Sequence, residues 1–148
     1  MVSRCERGFP TAIAVAPMLD GSTPFPTTFW LTCPHLVAAV HDLESAGEHR
    51  RWAECAATDP GVAERLHLAD ALYREARLAE GGGTDPCATA GVAGQSDPLA
   101  VKCLHARVAA ALAGIADPIG EGVLELLSSA PASSACDGSP CGAAVTSA

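Results

Sequence analysis

Twice in this chain a cysteine stands two residues before a histidine, at Cys33-Pro34-His35 and at Cys103-Leu104-His105, and a further thiol, Cys5, precedes the first apolar run. Thiolate sulfur and imidazole nitrogen are donors that zinc prefers, and a site needs three or four of them converging from separate segments. Cys5, Cys33, Cys103 and His105 form the candidate metal set. Zinc suits a mixture of thiolate and imidazole better than an iron–sulfur cluster does, since such clusters are held mainly by thiolates. The competing readings are a nucleophilic Cys33, with His35 or His105 as its base, and cysteines that merely fill small apolar gaps.

Each pair poses a geometric question. Cys33 falls where a strand should hand over to a helix, so its sulfur would lie among free backbone N–H groups, a setting that favours a thiolate. Cys103 and His105 are harder to combine. Residues two apart on a helix point about 200° from each other and cannot grip one ion together. Both reach one site only if the helix begins between them.

The other thiols and imidazoles carry weaker signals. Cys55 lies among alanines in a helical stretch and reads as core, Cys87 falls in a glycine-rich loop, and Cys136 and Cys141 belong to the carboxy-terminal tail. His41, His49 and His67 have no patterned donors beside them and read as surface or capping residues. GGGTDPC, at 81–87, lacks the lysine of a phosphate-binding loop and follows a helical segment instead of a strand.

Two β-branched or aromatic runs, TAIAVA at 11–16 and TTFWLT at 27–32, read as the strands of a hairpin with Asp20-Gly21 as the turn signal between them. An antiparallel hairpin brings Cys5, ahead of its first strand, and Cys33, after its second, to the same end of the sheet. Pro34 then opens a helix whose apolar stripe, Leu36, Val37, Val40 and Leu43, ends at Gly47. A second helix covers 48–57. A third starts at Asp59-Pro60, with the aspartate as cap, and carries Leu66, Ala69, Leu72 and Tyr73 on one face.

Residues 81–95 break the periodicity and read as a loop or lid of low order. A fourth helix runs from Leu99 or Val101 to Gly114, and Asp117-Pro118 starts a last one through Leu127. Beyond it, 129–148 is small and polar and reads as a disordered tail. The expected architecture is α+β: a short N-terminal β-hairpin packed against four or five α-helices, as a single domain over 1–128.

A chain of 148 residues is one domain of ordinary size. Its 9 Lys and Arg stand against 17 Asp and Glu, a formal net charge of -8, which disfavours general nucleic-acid binding. The first ten residues carry charges and proline where the apolar region of a signal peptide would lie. No apolar run approaches the ~18 residues of a membrane span. The expected location is the cytoplasm, where seven cysteines point to metal ligation, catalysis or burial instead of disulfides. Alanine is the most frequent residue, so the core must rest on close helix packing, and a metal would supplement its modest apolar stabilisation.

The order RCERGFP, DGSTPFPTTFWLTCP, LESAG, VKCLHA and DPIG, over residues 4–120, resembles a mainly actinobacterial family known as domain of unknown function 501. The family's usual pattern is close to RCxxGxP, DGTPFPTxxxLTCP, LExxG, VKCLHxxxA and NPxG. Cys5, Cys33, Cys103 and His105 fall inside these motifs, whereas the other cysteines fall outside them. Two features depart from the pattern: Ser22 is inserted between Gly21 and Thr23, and GVAGQSDPLA stands at 91–100 where relatives are shorter and richer in glycine. Relatives also tend to carry an upstream helical segment, which makes Met1 a candidate late start.

The resemblance implies no reaction. Relatives are often encoded beside a septum-formation initiator and an exopolyphosphatase, which points towards cell division or phosphate metabolism. The expected role is that of a metal-stabilised structural or regulatory domain with an unidentified protein partner. The rival is a small enzyme using the Cys33 thiolate, or an open-coordinated zinc as Lewis acid. A closed four-donor site speaks for structure, and three donors in a cleft speak for chemistry.

Overall fold

The computed structural model describes residues 2–129, so the expected tail beyond Ser129 lies outside the described residues. Five short strands come first: β1 (Ser3–Arg4), β2 (Pro10–Ala14), β3 (Met18–Leu19), β4 (Thr23–Pro24) and β5 (Phe29–Leu31). The predicted hairpin is the pair β2–β5, antiparallel with Ala12 opposite Leu31 and Ala14 opposite Phe29. β1 adds to the other edge of β2, giving the order β1-β2-β5. Two-residue strands such as β1 are too short to leave an alternating pattern, which is why only the longer pair was legible.

β3 and β4 form a separate small ribbon around Asp20-Gly21. Both turn residues have positive φ, 52° and 69°, and Ser22 N–H closes the turn on the Leu19 carbonyl at 3.0 Å. This is the geometry that Asp-Gly favours, because its backbone twist matches that of the flanking strands.

The helices are α1 (Pro34–Ser45), α2 (Glu48–Thr58), α3 (Pro60–Glu80), α4 (Leu104–Leu112) and α5 (Pro118–Ser128). The Asp-Pro signals behave as expected. Asp59 Oδ1 accepts from the N–H groups of Gly61 and Val62 at 2.9 and 3.3 Å. Asp117 Oδ1 accepts from Ile119 and Gly120 at 2.9 and 3.0 Å, so both caps satisfy donors that the first turn leaves free. No helix among the described residues is long and apolar enough to cross a membrane.

α4 is the axis around which the rest is packed. Ala106, Ala109 and Ala110 join Phe29, Tyr73 and Val92 in one buried cluster. Leu104 and Val108 join Val40, Leu66, Ile119 and Val123 in the other. Its alanines let neighbours approach closely, and Gly120 sits so near the Arg107 carbonyl that a Cβ there would overlap it. Tyr73 fixes the sheet to α3: its hydroxyl oxygen accepts from Thr28 N–H at 2.8 Å, and its ring meets Phe29 edge-on at 5.5 Å. Burial pushes the Tyr73 phenol pKa up, against the opposing effect of those backbone donors.

Two buried arginines tie down the irregular segments. Arg77, fully buried, pairs through Nε with Asp85 at 2.8 Å. Its guanidinium also donates to the carbonyls of Cys87 and Ala90 at 2.7 and 2.6 Å and to Pro26 at 3.2 Å. The glycine-rich segment 81–95 therefore does lack long elements, apart from a 3-10 turn at Val92–Gly94, but it is not the loose lid expected from its composition. Val92 is completely buried. Arg107 does the same for the next segment, pairing with Asp117 at 2.9 Å and donating to the carbonyls of Pro98 and Ala100, each at 3.3 Å.

Candidate metal centre

α4 begins between Cys103 and His105, and that boundary decides the geometry. Cys103 is the N-cap, in extended conformation with φ -146° and ψ 115°, so the divergence imposed by a continuous helix does not arise. The boundary has a cause at both ends of one missing helical bond. In a longer helix Leu104 N–H would donate to the Ala100 carbonyl. That carbonyl is instead held by the side chains of Arg107 and Gln95, and Leu104 N–H donates to Glu44 Oε1 at 2.7 Å.

Glu44, in the last turn of α1, thereby reaches the start of α4. Its carboxylate, the Cys103 sulfur and a His105 ring nitrogen all lie within 4.8 Å of one another. Among the described residues this is the one group of three or more such side chains able to hold a metal ion. His105 Nε2 lies 3.1 Å from the Val37 carbonyl. A carbonyl only accepts, so Nε2 carries a proton, and Nδ1 is the nitrogen left towards Glu44. Nδ1 and Glu44 Oε1 are 3.3 Å apart.

The four donors expected from the sequence do not form one group. Cys103 and His105 come together, whereas Cys5 and Cys33 lie outside their cluster. Cys33, buried, precedes α1, and Glu44 stands in its last turn, so the helical rise alone puts about 16 Å between their backbones. Cys5 follows β1 in a turn closed by its N–H on the Phe9 carbonyl. It does lie towards the same end of the sheet as Cys33, but β2 runs between β1 and β5 and separates their backbones by about 10 Å. Among the described residues the Cys33 thiol has no hydrogen bond to a histidine. Cys5, Cys33, Cys55, Cys87 and Cys103 are all free thiols.

Two residues escaped the sequence reading. Glu44 is the acid of LESAG, which reads locally as a helix end; only its reach to the VKCLH segment reveals a second use. Lys102, inside VKCLH itself, is the chain's only lysine. It lines, with Cys103 and His105, a cleft of about 520 Å³ whose other walls include Phe29, Trp30, Leu31, Val37 and Ala106.

The family model described as protein of unknown function (DUF501) matches residues 1–125 of the chain. The protein belongs to this family. No curated protein matches it, and no solved structure does.

Proposed function

We propose that this DUF501 domain binds zinc through Glu44, Cys103 and His105, with the metal's remaining position open towards the cleft. The observation that carries this reading is the facing pair Nδ1 and Oε1. With Nε2–H donated to Val37, two lone-pair atoms confront each other at 3.3 Å, which is repulsive unless a proton or a metal cation lies between them. Two donors bound to one tetrahedral zinc at about 2.0–2.1 Å each stand about 3.3 Å apart. The Val37 carbonyl supplies the outer partner that fixes a ligating imidazole's ring and tautomer.

One oxygen, one sulfur and one nitrogen donor suit zinc, while a single thiolate is too few for an iron–sulfur cluster. Three protein donors beside a cleft favour chemistry over a closed structural staple. A zinc held there polarises a carbonyl or activates a water molecule. The purified full chain is expected to take up one equivalent of zinc by elemental analysis, and Cys103→Ser or His105→Ala to lose it. Cys5→Ser and Cys33→Ser should retain it. A wild-type protein that takes up no zinc, or a Cys103→Ser protein that still does, overturns the assignment.

A further inference from the structure

The cleft beside the candidate ligands places one ammonium group against largely apolar walls. Lys102 is exposed, and among the described residues it pairs with no carboxylate. Its surroundings include two large apolar side chains left partly open to solvent, Trp30 at 42% and Val37 at 36%. Trp30 is nonetheless held in place. Its ring stacks parallel on Phe25 with centroids 5.6 Å apart, and its Nε1–H donates to the Thr27 carbonyl at 3.2 Å. A fixed indole and an unpaired cation on the rim of a cleft of about 520 Å³ match the usual design of a small-molecule site: apolar walls for the body, few polar groups for orientation.

We infer that the cleft binds a small amphipathic anion, with a flat or branched apolar body against Trp30 and Val37 and a single carboxylate on Lys102. The net charge of -8 opposes polyanions at long range, whereas one carboxylate on a compact apolar body gains a local ion pair for little repulsion. As a statement of substrate class this inference rests on the zinc reading, because the ligand would lie against the metal's open side. The binding itself needs no metal and is measured without it.

The test uses the full chain, stripped of metal with a chelator, in a Trp52→Phe background so that Trp30 alone reports. The probes are 2-naphthoate and its neutral analogue 2-naphthamide. Saturable quenching of Trp30 is expected for both, with naphthoate about threefold to fivefold tighter, the range an exposed ion pair supports. That preference should vanish in Lys102→Met and at high salt, while naphthamide binding stays unchanged, which shows that the variant is folded. Equal affinity of the two probes, an unchanged preference in Lys102→Met, or no saturable binding overturns the proposal. Zinc uptake measured on the same preparations keeps the two readings apart: a chain that takes up zinc but does not bind naphthoate overturns this proposal alone.

Discussion

The Glu44 carboxylate and the Leu104 backbone N–H meet at 2.7 Å across 60 residues of sequence. One helix thus supplies the N-terminal cap of another. Because Cys103 is that cap position and His105 the second helical residue, the same bond that starts α4 also sets the angle between the two candidate ligands. The start of α4 and the placing of Cys103 and His105 thus share one contact.

Substitutions at Glu44 separate its two uses. Glu44→Ala removes the acceptor for Leu104 N–H and is expected to lower the stability of metal-free protein by about 0.5–2 kcal/mol, the range for a lost cap. Glu44→Gln keeps a neutral acceptor oxygen and should recover most of that loss in urea unfolding. Its zinc affinity should stay reduced, since the anionic donor is gone. A Glu44→Ala protein as stable as wild type would contradict the cross-helix cap.

Cobalt(II) reports which sulfur binds. The wild-type chain is expected to show a thiolate-to-cobalt charge-transfer band in the near ultraviolet. Cys103→Ser should lack it, and Cys5→Ser and Cys33→Ser should keep it. The reverse pattern would move the centre to the hairpin end of the molecule.

Arg77 holds the glycine-rich segment from inside the core. Arg77→Met leaves the nearly buried Asp85 carboxylate without its partner, a class of change that costs about 3–5 kcal/mol. Amide hydrogen exchange across 81–95 should accelerate well beyond that of α5. Exchange rates unchanged in this segment would mean that the guanidinium is not what orders it.

Tyr73 is the sole tyrosine, so its ionisation can be followed by tyrosinate absorbance. Burial raises the folded phenol pKa above the unfolded value of 10.0. The folded chain then binds more protons than the unfolded one in the alkaline range. This group's contribution is fully present below the unfolded value and is lost as pH rises through the raised folded value. Tyr73→Phe should abolish that alkaline loss, and at neutral pH it should cost about 1–3 kcal/mol by leaving Thr28 N–H without its acceptor. A tyrosinate midpoint at or below that of the unfolded chain would refute the burial argument.

The parts of this fold that announce themselves in sequence are those governed by local chemistry. Asp59 and Asp117 cap helices because a carboxylate ahead of proline serves the free N–H groups wherever it occurs, and Asp20-Gly21 turns because few residue pairs accept two positive φ angles. The misjudged segments depend on tertiary burial of side chains that local pattern assigns to the surface. Arg77 and Arg107 are charged residues on helices, which hydropathy assigns to solvent, yet each is buried against a carboxylate of the segment that follows its helix, Asp85 and Asp117. That is why 81–95 reads as loose and why α4 starts three residues later than Val101. Cys103 and His105 were legible as candidate ligands from their types. Glu44 was not, because a helix end and a candidate ligand read alike until the facing element is known.

The solitary lysine has a practical corollary. An amine-directed ester finds a single side-chain amine in the whole polypeptide, and that amine sits on the lip of the cleft. One stable amide, located by peptide mass spectrometry, therefore tags this mouth and no other side-chain amine. Protection of it by a bound molecule becomes a direct footprint of occupancy.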